Sequence, residues 1–400
     1  MIKDKNFKNL FIANIISSAG DVFQDFAIMW YVLNRTNSTI WASLSLVLNF
    51  LPKIIFGTYA GVLADSKNKK NIIIKADILN GIFCILLMIS VIENLAIPYI
   101  LIITFIMSSL DIITQTSEMS FLPELINEDN LLRANSFMNG TESMVSIVGP
   151  GLAGLLYALM GAKYLFLFNG VSFFVACIFM KMIKYTFINK KNESLGVEGL
   201  SKQKSDYLQG FKEIFRDSNL RTFCIFGGGI INFFISPTTI YISKYILNQN
   251  ISQGILFGML TSAIALGTLL SSLFLSNFKK EVDEKKIIVL GFFGEAITMF
   301  MFAKFSNYVY NLICIILLGF SMGVIGINLQ TYIQRVVSLE VLGRSMSTIM
   351  LVSNIAVPLG LLSAGIVTEK FQLSSITSFI GVSMFIISLI VLYRIKTNSN

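Results

Sequence analysis

The sequence predicts an all-α polytopic membrane protein, with twelve transmembrane helices in two pseudo-symmetric six-helix bundles. Three observations predict it. Hydrophobic residues make up 54% of the 400 and charged residues only 14%, where a soluble domain carries roughly a quarter charged. Apolar runs of about 20 residues, each long enough to cross ~30 Å of hydrocarbon, recur along the chain, and the mean hydropathy is +0.72. Residues 131–174 also recur in register 211 positions later. Arg133 falls on Arg344, Gly149 on Gly360, Gly154 on Gly365, Gly170 on Gly381 and Phe174 on Phe385. A duplicated block of helices in one orientation is a building plan of secondary transporters, with the substrate path between the halves. The ~10-residue alternating segments of a membrane β-barrel are absent.

The spans fall at approximately 8–34, 39–65, 71–93, 96–121, 136–160 and 164–186 in the first half. In the second they fall at 221–247, 253–277, 286–305, 308–333, 344–368 and 374–394. This divides the chain into an N-terminal bundle (1–186), a linker (187–220) and a C-terminal bundle (221–400). With the N-terminus placed inside, inner segments hold 25 of the 31 Lys and Arg. The outer ends hold only Arg35, Lys163, Lys244, Lys304 and Lys370, while Lys53 lies mid-span. The bias puts both termini in the cytoplasm. The net charge of +8 then reflects topology and anionic lipid, and no nucleic-acid partner is expected. The first apolar run contains Asp21 and Asp25 and reads as a retained span rather than a signal peptide.

Span 1 carries one polar stripe, Asn14, Ser17, Ser18, Asp21 and Asp25, at three- and four-residue steps. Asp21 lies ~20 Å from the inner end and Lys53 of span 2 lies ~18 Å from its own, at 1.5 Å per residue. An ion pair of Lys53 with Asp21 or Asp25 is therefore geometrically open. Charges inside a membrane are costly, which makes each one a functional candidate. Two acids around one cation could couple proton binding to conformational change; a purely structural ion pair is the plainer alternative. Asp77 of span 3 is expected near the inner end, paired with loop cations. Span 4 presents Ser108, Asp111, Gln115 and Glu118 on one face, and span 5 presents Asn135, Asn139, Glu142 and Ser146. Asp111 is deep enough for a cavity, whereas Glu118 and Glu142 suit an inner gate. Span 9 holds Glu295 without an evident partner.

Span 2 ends in Gly61-Val-Leu-Ala-Asp65-Ser-Lys67-Asn-Lys69-Lys70. This segment resembles the signature between spans 2 and 3 of the major facilitator superfamily, Gly-x-x-x-Asp-Arg-x-Gly-Arg-Arg. Gly61, Asp65, Lys69 and Lys70 match, Ser66 stands for an arginine, and Asn68 stands for a glycine. The resemblance implies the major facilitator fold and a latch in which Asp65 bridges cations and helix ends, with Gly61 permitting close approach. Phe121-Leu-Pro123-Glu through Arg133-Ala-Asn-Ser136 is similar to the loop between spans 4 and 5 in the macrolide-efflux branch of that superfamily, as are Asn49-Phe-Leu-Pro52 and the segment 205–221. That branch exports macrolides, other amphipathic drugs and some siderophores. Gly149-Pro150-Gly-Leu-Ala153-Gly154, preceded by Gly140, is similar to the antiporter element of drug:proton exchangers. It implies a bent, closely packed span 5.

In the linker, Tyr207, Leu208, Phe211, Ile214 and Phe215 repeat at helical spacing with Lys212 and Arg216, which suits a helix on the inner membrane face. Gly227-Gly228-Gly229 lacks the Lys-Ser/Thr of a phosphate loop and marks helix softness or close packing. No nucleotide site, cofactor or metal spacing is evident, and Cys84, Cys177, Cys224 and Cys314 read as helix filler. Histidine is absent, so any proton step must use carboxylates. The reading is a monomeric proton antiporter in a prokaryotic cell membrane, exporting an amphipathic, cationic small molecule. Siderophore or metabolite transport on the same fold is the alternative, and anionic cargo would call for basic residues in the cavity. A receptor or intramembrane enzyme is the other class, but no nucleophile or metal cluster supports an enzyme.

Overall fold

The computed structural model describes residues 5–126, 128–185, 211–212, 214–247, 253–276 and 283–397, with the side chains at 58, 62, 65, 66, 128, 129, 132, 339, 340, 342–344 and 347 outside the description. Six helices make the first half: α1 (Lys5–Thr36), α2 (Thr39–Ser66), α3 (Lys69–Ile92), α4 (Ile97–Leu125), α5 (Glu128–Met160) and α6 (Ala162–Met182). The second half comprises α7 (Ser218–Leu247) and α8 (Gln253–Ser276), α9 (Glu284–Met301), α10 (Tyr308–Val336), α11 (Leu339–Lys370) and α12 (Leu373–Thr397). Among the described residues ten of these are long and apolar enough to cross a membrane. The other two, α1 and α9, carry Asp21 and Asp25, and Glu284, Lys285, Lys286 and Glu295, within their length.

Local chemistry starts several helices. The side chains of Ser38, Asn68, Asp217, Asp283 and Asn307 accept the exposed amide N–H groups of α2, α3, α7, α9 and α10, respectively. Asn68, which stands where the signature has a glycine, has φ −63° and ψ 107°, and its side chain caps α3 by accepting from Asn71 N at 3.2 Å. Much of the linker segment 205–221 lies outside the described residues; of its aromatics, Phe211 stacks on Phe215 at 4.4 Å.

Two compact units result: residues Met1–Leu195 with Ile251–Met259, and Gly196–Asn250 with Leu260–Asn400. In the first, α1 and α3 pack most extensively on α6, and α2 on α4; in the second, α9 packs on α10 and α12. The duplicated glycines do equivalent work in each unit. Gly149 of α5 seats against Val22 of α1, and Gly360 of α11 seats against the Phe233 backbone of α7. Gly170 of α6 meets Cys84 of α3, and Gly381 of α12 meets Phe300 of α9. The glycine triplet of α7 lies in a π-helical stretch, Phe223–Ile231, a rare geometry that absorbs an extra residue per turn. The bare Cα of Gly227 there receives the Phe292 ring.

Not every motif glycine marks a close approach. Among the described residues nothing lies within 4 Å of where a Cβ on Gly61 or Gly140 would stand. The tight packing expected at these two positions occurs instead at Gly149 and Gly154, the latter against Gly254 and Gly258 at the start of α8. Pro150 lies inside α5, as expected for a bent span.

Candidate functional site

A cavity of about 590 Å³ opens within the first unit, lined from α1, α4, α5 and α6. The α1 stripe supplies Asn14, Ser17, Ser18 and Asp21; α4 supplies Asp111, Thr114, Gln115 and Glu118. Asn135, Asn139 and Glu142 of α5 face them, and Met119, Leu122, Met138 and Phe173 form an apolar wall. The helical spacing seen in the sequence thus brings Asp21, Asp111 and Glu142 to one space. Glu118 and Glu142 line this cavity together with Asp21. No Lys or Arg is among the lining residues.

Four acids of this unit, Asp21, Asp25, Asp111 and Glu118, are held by carboxamides. Asn169 of α6 donates to Asp21 Oδ1 at 3.2 Å and to Gln24 Oε1 at 3.0 Å. Asn80 of α3 donates to Asp111 Oδ1 at 2.7 Å, and Asn14 donates to Glu118 Oε2 at 3.1 Å. Gly20 makes the first of these possible. A methyl group there would collide with Asn169 Oδ1 and Ser172 Oγ, so the absence of a side chain lets α6 reach across α1. Asp25 stands apart from the cavity lining, accepting from Asn49 at 3.1 Å, and Asn49 in turn accepts from Ser108 at 2.8 Å.

The expected ion pair is not formed. Among the described residues Lys53 has no carboxylate within 4 Å; it is exposed, with its ammonium 5.4 Å from the centre of the Phe50 ring. Neutral amides satisfy the two aspartates in its place. Asp77 differs too: it is buried and has no cation partner among the described residues, and its charged neighbours are Glu118 and Asp21. Glu295 lies in the second unit, buried, with Oε2 lacking any hydrogen bond. Asn80, Asn169 and Gln24 were not singled out by sequence, and Asn49 entered only as the start of a family-like motif. The available signal was an amide within an apolar run for Asn49 and Asn169, an amide next to an acid for Gln24, and an amide one turn after an acid for Asn80.

The segment after α2 forms a fastening within the first unit. Lys69, with a side chain only 7% exposed, pairs with Glu124 Oε1 at 2.7 Å, and Tyr185 donates to Glu124 Oε2 at 2.5 Å. Burial, with Glu124 alongside, pushes the Tyr185 phenol up to about 12, so it stays a donor at physiological pH. Lys70 donates to the carbonyls of Lys181 and Ile183. These bonds tie α3, α4 and the end of α6 over a core that includes Phe7, Ile73, Phe121 and Met180. Asp65, the acid of the expected latch, lies outside the described side chains.

Comparison with known proteins agrees with this architecture. The chain is 20% identical to macrolide efflux protein A of Streptococcus pyogenes over 367 residues, covering 91% of this chain and 89% of that protein. It is 22% identical to the staphyloferrin A transporter of Staphylococcus aureus over 392 residues, covering 96% and 94%. A POT family transporter solved with a thioalcohol-conjugated peptide superposes with a TM-score of 0.73 at 11% identity, covering 98% and 96%. The transmembrane secretion effector profile matches residues 2–399. The chain therefore belongs to the transmembrane secretion effector family of major facilitator transporters, and is not an enzyme.

Proposed function

We propose that this protein exports an amphipathic, cationic small molecule from a prokaryotic cytoplasm in exchange for protons, by alternating access and with both termini inside. The observation that carries the reading is the cavity of the first unit. Asp21, Asp111, Glu118 and Glu142 share it with Met119, Met138, Leu122 and Phe173 and with no basic residue. Carboxylates in a confined space attract a cation, and the flexible methionines accept apolar groups of varied shape.

The amide partners support exchange with protons. A lysine or arginine beside an acid would hold it ionised. A carboxamide offers both N–H and C=O, so it can bond a carboxyl in either protonation state. Asn80 donates to Asp111, while its own buried Oδ1 has no hydrogen-bond partner. That oxygen is available to accept from a protonated neighbour. The cationic cargo and the proton would then compete for the same acids, which is the requirement for antiport.

Similarity to the staphyloferrin A transporter raises siderophore export as a second reading. The cavity charge favours the first. Inverted membrane vesicles with an imposed acid interior decide between them. Lipophilic cations and macrolides should accumulate and be lost when a protonophore collapses the gradient. Accumulation of cationic cargo that ignores the proton gradient would overturn antiport, and selective uptake of anionic cargo would overturn the cargo assignment.

A further inference from the structure

Three of the five cations that the charge bias puts at outer ends converge in the second unit. Lys244, Lys304 and Lys370 line one pocket of about 530 Å³, between the end of α7, the α9–α10 connection and the α11–α12 connection. Glu369 is the single carboxylate in the lining, so cations exceed anions by two. Basic residues are disfavoured on the outer side of a membrane, and three in one pocket also repel one another. Lys304 meets the Ser378 hydroxyl and the Phe300 ring, and an anion in the pocket would offset the positive excess that remains.

A second feature of the pocket points the same way. Leu373 and Ser374, the first turn of the 25-residue α12, complete its wall. The first amides to bond back are those of Ser375 and Ile376, to Gln372 O; those of Leu373 and Ser374 precede them, at the positive end of the helix dipole. Lysines around a helix N-terminus form a recurrent phosphate environment.

The walls are fixed in advance. Ala303 adopts φ 60° and is held by its N–H bond to Asn311 Oδ1 at 2.7 Å. Asn311 also donates to Phe305 O at 2.7 Å, Tyr245 donates to Ser306 O at 3.0 Å, and Lys304 reaches Ser378. Phe305 and Phe371 flank the lysines and are 63% and 61% exposed. Exposed apolar rings beside cations suit the boundary between acyl chains and headgroups.

We propose that this pocket binds a phosphate group at the outer membrane surface, supplied by the headgroup of an anionic phospholipid. The assignment of the outer side rests on the topology proposed above; the binding of phosphate does not. The test uses the purified full chain in nanodiscs, reading its thermal midpoint and, by native mass spectrometry, the phospholipid it retains. Phosphatidylglycerol should raise the midpoint saturably over phosphatidylcholine alone. The K244Q/K304Q/K370Q variant should bind about tenfold more weakly or worse, having lost three charge-assisted contacts. The corresponding triple arginine variant should keep binding, as should K163Q, which removes an outer cation elsewhere. If inorganic phosphate gives the same lysine-dependent shift in phosphatidylcholine discs, the site holds phosphate but the source is soluble. Should the triple glutamine variant fail to fold, K370Q alone should weaken binding. An unchanged response in the glutamine variants, or an equal loss in K163Q, would overturn the proposal.

Discussion

Asp21 is bonded to Asn169 of α6, which also bonds Gln24 and receives Ser172 Oγ at 2.8 Å. Removing that amide takes a partner from Asp21, Gln24 and Ser172, at about 1–3 kcal/mol. Asn169→Leu should therefore lower the thermal midpoint, and Gly20→Ala should do so as well by pushing the same amide aside; equal midpoints for both variants and the parent would refute the contact. Asp21→Asn should abolish accumulation against a gradient while leaving exchange of labelled cargo at equal pH partly intact. Concentrative transport by that variant would shift the coupling role to Asp111, Glu142 or Asp25. The acids were legible in the sequence because they repeat at helical steps on α1 and α4, and a charge in an apolar run stands out. Their partners were not, since neither Asn80, which follows a single acid (Asp77), nor Asn169 belongs to a repeating polar stripe on its helix. Lys53 misled for a related reason: depth along a span can be counted, but the rotation of the span cannot, and Lys53 came to rest on Phe50.

Ser38 and Asn307 stand immediately before the spans expected at 39–65 and 308–333 and cap those helices, whereas Asp283 starts α9 ahead of the span expected at 286. Helix contacts were less readable in advance. A glycine in a motif says that close approach is allowed, and only the packed structure tells which glycines use it. Gly319 of α10 faces the Ile264 backbone of α8, whereas Gly140 faces open space. Gly319→Val should cost about 1–3 kcal/mol through overpacking. Gly140→Ala should instead stabilise α5 by roughly 0.5–1 kcal/mol, the usual gain within a helix. Thermal midpoints in one detergent check both, and a matching sign for the two would contradict the packing. The Lys69–Glu124–Tyr185 fastening makes a milder claim. Because the Glu124 side chain is 40% exposed, solvent screens the pair, and Glu124→Gln should cost only about 1 kcal/mol. A large loss of transport at unchanged stability would mean that the fastening also serves the conformational cycle.

Across the whole chain, the repeat was the most readable property and its glycines the most faithful part of it. Gly149 and Gly360 each seat on the first helix of their own half, and Gly170 and Gly381 each seat on the third. Charge bias predicts that an impermeant thiol reagent applied to intact cells will miss a cysteine introduced at Ser194 and reach one at Lys163; labelling at Ser194 from outside would reverse the topology. The chain is well prepared for such work. Its four thiols, at Cys84, Cys177, Cys224 and Cys314, are all unpaired and buried. In the folded state they are shielded from reagent, so an added reporter can be read against the unaltered sequence as background. The same shielding makes them an internal gauge of integrity. A maleimide dye should stay dark on the native chain and brighten as warming loosens the helices, so each stability difference forecast above can be followed by fluorescence on the purified chain.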